Sequence, residues 1–258
     1  MKNDVTSVLI KHINELYQIL NRYNISDKLN FVSEAETDLV FQKAILMSVG
    51  YIGELSKKLN DDIKNFNPAV NWRRLSTSRN IIFHDYDIVD MEIISSVVFK
   101  DIAALRLITE VDYRDINQAV ELVRNVFSEF VAPDYSEQGK IAFENYINSL
   151  KNEDLKPQNK NMWACYEKGK IVGVIATRNI SHIFLMFVDK LHHKKGIAKY
   201  MFNFILNEIK KYHGEVTQIT VSSSPYAIKA YESLGFVKTG EQQEKDGIIF
   251  TSMIYNLI

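Results

Sequence analysis

At 258 residues, 46% of them apolar, the chain is longer than most single cores need, and two domains are expected. A formal net charge of −1 excludes a general polyanion-binding field, so any nucleic acid must meet a local patch. The lone cysteine, Cys165, excludes an intramolecular disulfide, and no Cys/His cluster carries zinc-ligand spacing.

The opening MKNDVTSVLIKHINELYQIL carries charges every few residues, unlike the apolar core of a signal peptide. No stretch approaches the roughly 18 uncharged apolar residues of a membrane span. A cytoplasmic protein with no membrane partner is the expectation. Val5, Leu9, Ile13, Leu16 and Leu20 recur at three- and four-residue steps, which predicts an amphipathic helix. ETDLVFQKAILMSVGYIGELSKKLNDDI extends the same pattern until Asn67-Pro68 breaks it. It resumes through WRRLSTSRNIIFHDYD and MEIISSVVFKDIAAL. No alternating strand interrupts this region, so an all-α bundle over residues 1–104 is predicted.

From residue 105 the texture changes. LRLITEV reads as a strand and is followed by the helices INQAVELVRNVFSEF and QGKIAFENYINSL. KNEDLKPQNKN is a loop, MWACYEKGKIVGVIATR a hairpin turning at Lys168-Gly169, and SHIFLMFVDK an apolar strand. The helix GIAKYMFNFILNEIKKYH, the strand QITVSS, a short helix from Pro225 to Leu234 and two closing strands complete residues 105–258. The fold class is therefore α + α/β, a helical bundle followed by a mixed-sheet α/β domain.

Two stretches carry the chemistry. In FVDKLHHKKGIAKYMFNFIL a buried strand ends, a basic turn comes next, and a helix starts near Gly196. Free amides at a helix N-terminus suit phosphate. Gly196 removes a Cβ from the approach, Ala198 keeps the next turn slim, and Lys194 and Lys195 add positive charge. In RNIIFHDY, Arg79 and His84 are five residues apart, about 140° around an ideal helix. They do not share one stripe, whereas Arg79 and Tyr86 do. Histidine suits proton transfer near neutral pH, and guanidinium suits phosphorane charge. Such a pair can cut RNA through its own 2′-OH without a metal. A buried Arg–Tyr hydrogen-bond network is the alternative from spacing alone.

Residues 105–258 resemble the GNAT N-acetyltransferase superfamily, whose loop Gln/Arg-x-x-Gly-x-Gly/Ala stands here as His193-Lys194-Lys195-Gly196-Ile197-Ala198, with the ending YAIKAYESLGFVKTG. The resemblance implies acetyl-CoA (coenzyme A) as cofactor, held by those six loop residues and by the strand end Met186-Phe187-Val188. It also implies that the Val188 amide region polarises the acetyl carbonyl and that Tyr231 protonates the departing thiolate. Ser222 stands where members often carry asparagine. Ser224 and Pro225 are expected at N-cap and N1 of the next helix. Phe127, Phe130, Asp134 and Tyr135 are candidates for the lining of the amine-acceptor pocket, with Glu129 and Asp134 as carboxylates to attract the amine.

NPAVNWRRLSTSRNIIFHDYDIVDMEI, with YIGELSKKLND before it, resembles the HepT-like branch of the HEPN ribonuclease toxins. Its Arg-x4-His-x-Tyr motif falls on Arg79, His84 and Tyr86, with Asn80 as the polar residue after the arginine. The resemblance implies a homodimer through this domain, which brings two motif helices together. It also implies an RNA substrate and an antitoxin partner that modifies Tyr86. Residues 1–104 hold 12 Lys and Arg against 14 Asp and Glu, so RNA would need a groove from which the acids point away. Three functions are compatible with these residues: an amine acetyltransferase fused to a dimerising and RNA-cutting domain, a ribonuclease toxin regulated by its acetyltransferase domain, or a non-catalytic binding protein.

Overall fold

The structure, a computed structural model, describes residues 5–84, 89–151 and 159–257, with the His84 side chain left out. Its contacts divide into two compact units, Met1–Leu107 with Tyr166–Lys170, and Ile108–Cys165 with Ile171–Ile258. Among the described residues no helix is long and apolar enough to cross a membrane.

The first unit is helical. α1 (Val5–Arg22), α2 (Lys28–Thr37) and α3 (Leu39–Ser56) are followed by α4 (Asp61–Phe66), α5 (Trp72–His84) and α6 (Met91–Ser96). A π-helical turn, Val97–Ile102, continues α6. The apolar stripe of α1 is buried at Leu9, Ile13, Leu16 and Leu20. The long run ETDLV…NDDI breaks into three helices because polar residues cap inside it. Asp38 ends α2 by donating its amide to the Glu34 carbonyl, and its carboxylate accepts from the Val40 and Phe41 amides to start α3. Asn60 caps α4 in the same way. Glycines then bring α3 and α5 together. A Cβ on Gly53 would lie 2.7 Å from the Leu75 carbonyl oxygen, and one on Gly50 would lie 2.8 Å from the Phe83 ring.

Asp101, on the π turn, ties that end of the bundle. It is 1% exposed and accepts from Arg74 Nε at 2.6 Å, Arg74 Nη2 at 2.9 Å and the Asn71 amide at 3.0 Å. Loss of Arg74 would leave the buried Asp101 carboxylate without its charge partner, which is the costly way to break such a pair.

The second unit is built on a sheet of β1 (Arg106–Glu110), β2 (Lys160–Glu167), β3 (Lys170–Arg178), β4 (His182–Val188), β5 (Gln218–Ser223), β6 (Val237–Lys238), β7 (Gln243–Lys245) and β8 (Ile248–Asn256). The order is β1-β2-β3-β4-β5-β8-β6, with β7 pairing β8. The closing strands thus number three, because the short β7 folds back on β8. The β2–β3 turn forms as the sequence predicts, with Lys168 and Gly169 both at positive φ (54° and 73°).

α7 (Ile116–Phe130) and α8 (Glu137–Ser149) belong to one face, where Val120, Val123 and Ile147 pack with Val174 and Leu185. α9 (Ile197–Tyr212) and α10 (Ile228–Ser233) belong to the other, where Met201, Phe202 and Tyr231 pack with Ile175 and Ile219.

Two irregularities in β4 open the middle of the sheet. The β3–β4 register runs Ala176↔Leu185 and then Thr177↔Ile183, so Phe184 is an extra residue in a bulge, a feature that bends a strand and re-aims side chains. β4 also pairs with β5, in parallel, only at His182↔Thr220 and Ile183↔Val221. β5 goes on to match β8 at six positions. Beyond Ile183 the sheet is therefore two half-sheets joined at one corner.

His182 sits at that corner. Its Nδ1 lies 2.8 Å from Thr220 Oγ1, and Arg178 Nη2 donates to its Nε2 at 3.2 Å, an arrangement that suits the neutral ring. Burial, then the Arg178 charge, lowers its pKa from 6.5 to about 4. The unfolded chain therefore takes up the proton first, and the contribution to stability is full above pH 6.5 and lost as pH falls toward 4. The melting temperature of the native protein should drop more steeply across that window than that of His182→Asn, which keeps an amide donor for Thr220. Parallel profiles for the two proteins would remove His182 as the cause.

Candidate active site

The connection from β4 to α9 is a tight basic turn. Asp189 accepts from the Leu191 amide at 3.0 Å and lies 2.8 Å from His192 Nδ1, which fixes a short 3₁₀ turn over Lys190–His192. Lys194 and Gly196 both take left-handed φ, 60° and 79°. At Gly196 glycine takes that conformation without the strain a side chain would bring, and nothing lies within 4 Å of where its Cβ would stand. The first α9 bond runs from the Tyr200 amide to the Gly196 carbonyl at 2.9 Å. The amides of Ile197, Ala198 and Lys199 therefore have no acceptor within the helix. Ile197 itself is buried in the core. Its side chain would come within 3.0 Å of a Cβ on Gly173, so glycine on β3 lets the start of α9 settle close to the sheet.

The strand end beside this turn offers main-chain groups. The Asp189 amide donates to the Val172 carbonyl at 2.9 Å. Alternation along an antiparallel ladder then makes Val174↔Phe187 a bonded pair, with Gly173↔Val188 and Ile175↔Met186 non-bonded. The amides of Met186 and Val188 point away from β3, into the gap where β5 has left.

A pocket of about 550 Å³ fills the gap. Met186, Phe187, Val188, His193, Lys194, Gly196, Ile197 and Ala198 all line it, as does Tyr231; Lys195 does not. Tyr231 is 4% exposed and meets Phe236 edge-on at 5.2 Å. Burial holds its hydroxyl pKa well above the ordinary value, so the group keeps its proton at any physiological pH. Met186, Val188 and Tyr231 belong to the α9 face of the sheet, whereas Phe184 and Phe187 pack on the α7–α8 face. The pocket thus passes through the sheet.

His193 behaves differently from a residue reaching outward for a ligand. Its Nε2–H donates to the Val188 carbonyl at 2.9 Å, and its ring lies 5.0 Å from Phe130, which stacks on Tyr226 at 5.1 Å. Of the acceptor-side candidates, Tyr135 lines the pocket. Phe127 is buried and stacks on Phe143 at 3.9 Å, Asp134 is exposed, and Glu129 is paired with Lys190 at 3.0 Å. Phe143, Phe184, Ser223 and Tyr226 also line the pocket. The sequence carries no signal for them, because each arrives by packing or by the bulge. Ser222 and Ser224 line it as well. Ser224 makes no side-chain cap, and a 3₁₀ turn over Pro225–Ala227 precedes α10.

In the helical unit, Arg79 Nε lies 3.0 Å from Glu54 Oε2. It meets no hydrogen-bond geometry there, so the contact is a charge pair. The guanidinium lies 5.3 Å from the centre of the Phe83 ring, and Nη1 donates to Asn80 Oδ1 at 3.4 Å. The His84 side chain and Tyr86 lie outside the described residues.

Two family models match the chain, one described as acetyltransferase (GNAT) domain over residues 131–257 and one as ribonuclease HepT-like over residues 9–111. The chain joins a HepT-like domain to a GNAT domain. A "Probable ribonuclease HepT" of Thermococcus cleftensis is 26% identical over 92 residues, 32% of this chain and 84% of that protein. The fold of the GNAT domain is shared with a GCN5-related N-acetyltransferase from Rhodopseudomonas palustris (TM-score 0.50, 16% identity, 58% of this chain and 94% of that one). It is also shared with the PaiA N-acetyltransferase of Thermoplasma acidophilum, solved in complex with coenzyme A (TM-score 0.50, 15% identity, 59% and 99%). The open corner between β4 and β5 lies inside the GNAT match.

Proposed function

We propose that the GNAT domain transfers an acetyl group from acetyl-CoA to an amine. The single observation that carries this reading is the opened β4–β5 edge, with the first-turn amides of α9 at one end and a buried tyrosine within the same pocket. The residues fit the ligand. Amides 197–199, with the positive end of α9 behind them and Lys194 and Lys199 beside them, suit a diphosphate. The Met186 and Val188 amides suit the amide-bearing arm attached to it. PaiA, solved with coenzyme A, supports this assignment.

Acetyl-CoA supplies the acyl group as a thioester. Val188 directs its N–H toward charge that develops on the acyl oxygen, and His193 holds the same residue by its carbonyl. The amine nitrogen bonds to the acyl carbon and the C–S bond breaks with its electron pair on sulfur. The amine releases its proton to water, the Tyr231 hydroxyl protonates the sulfur, and water returns a proton to Tyr231. Tyr231→Phe should therefore lower kcat by about 10²–10⁴ and leave acetyl-CoA affinity close to native. An unaltered kcat would make the hydroxyl a packing group and return the proton to solvent.

The HepT-like match favours a second activity, metal-independent cutting of RNA by Arg79 and His84. In this reading two copies pair through the helical domain, which brings together groups that one helix holds about 140° apart. Tyr86 is the point at which an antitoxin partner would act. Glu54 neutralises Arg79 until a phosphate competes for it. Incubation of the full chain with end-labelled RNA in EDTA should yield fragments, and Arg79→Ala should cut at least about 100-fold more slowly, in line with loss of one charge-stabilising donor. Intact RNA with the native protein would remove the second activity and leave the first untouched.

A further inference from the structure

The side of the pocket facing α7 and α8 has a chemistry unlike the turn end. Val126, Val131 and Tyr135 from α7 and its following loop, Phe143 from α8, and Phe184 and Phe187 from β4 form its wall. Five of the six end in carbon. The sixth, Tyr135, has its pKa pushed up to about 12 by burial and then by Asp134, so it stays a neutral hydroxyl. Among the described residues no carboxylate lines any part of the pocket, and its charged groups, Lys194 and Lys199 with His192 and His193 beside them, all sit at the turn end.

A compartment like this opposes a protonated amine. Burial in apolar surroundings disfavours the charged form, and no carboxylate among the described residues lines the pocket to pair with it. The amine has to arrive as free base in any case, because only its lone pair attacks. An α-amino group, with a pKa near 7.7–8.0, is free base at pH 7 roughly 300-fold more often than an alkylamine of the lysine type near 10.4. The aromatic wall would add contact area for an apolar group next to the nitrogen. Neither of the two carboxylates that the sequence offers as amine attractors lines the pocket. Glu129 is paired with Lys190, and Asp134 is exposed.

We infer that the acceptor is the α-amino group of an amino-acid unit bearing an apolar or aromatic side chain, with the side chain against Phe143, Phe184 and Phe187 and the nitrogen directed at the opened strand edge. The inference rests on the acetyltransferase reading of this pocket. The bulge at Phe184 is what supplies the wall, since the extra residue places Phe184 and Phe187 on the same face of the sheet.

The test has two arms on the full native chain. Binding of acetyl-CoA, measured by calorimetry, probes the acetyltransferase reading alone. Steady-state acetylation at pH 7 then compares phenylalaninamide and a Phe-Gly amide with an Asp-Gly amide, Nα-acetyl-lysinamide and spermidine. The expected result is kcat/KM for the better Phe acceptor about 100-fold above spermidine and Nα-acetyl-lysinamide, and about tenfold above the Asp-Gly amide. The ratio between the two Phe probes separates a single amino acid from a peptide N-terminus. Acetyl-CoA bound, with spermidine or the lysine probe preferred, or with no probe acetylated, overturns the inference. Absence of acetyl-CoA binding overturns the acetyltransferase reading itself.

Discussion

Two residue pairs, His182↔Thr220 and Ile183↔Val221, hold β4 to β5, and the chemistry proposed for the second unit depends on there being no more. If the strands ran together for their full length, the Met186 and Val188 amides would be spent on β5 and no ligand could reach them. Because they part, each half-sheet keeps a complete partner, β3 for β4 and β8 for β5. The cost of an unpaired edge is confined to a few groups lining a pocket. The Phe184 bulge and the His182 contacts act on the same corner from inside β4. One turns the strand, and the other keeps the joined end from following it.

The turn at residues 193–198 and the strand edge form one device, because His193 links them. Its imidazole donates to the Val188 carbonyl, so the residue that opens the basic turn also steadies the peptide group at the opened strand edge. Phe130, on α7, lies against it at 5.0 Å and in turn stacks on Tyr226, from the segment before α10. A glutamine or arginine at position 193 would be freer to reach outward. Histidine is short and flat, and here it turns inward.

Legibility in the sequence tracks the range of the interaction. The left-handed glycine at 196, the Lys168-Gly169 turn, the amphipathic α1 and the alternation of mixed strands and helices are all local, and the residues announce them. The helix breaks at Asp38 and Asn60 are also local, but a continuing apolar stripe hides them, since a cap changes the backbone without changing the period. Features that the sequence hides depend on partners far along the chain. The Phe184 bulge exists only in register with Thr177. The Arg79–Glu54 pair exists only because Gly50 and Gly53 let two helices touch. The Asp101 clamp likewise joins residues from separate helical segments. Of the carboxylates near the α7–α8 loop, Glu129 pairs with Lys190 and Asp134 is exposed, placements that their position in the chain does not announce.

The opened strand edge can be observed directly through amide hydrogen exchange resolved by NMR. In the free protein, the Met186 and Val188 amides should exchange faster than Phe187, whose amide is bonded to β3. Saturating coenzyme A should slow Met186 and Val188 at least tenfold and leave Phe187 nearly unchanged. Protection of Met186 and Val188 before ligand is added, or exchange at all three sites indifferent to coenzyme A, would contradict the account.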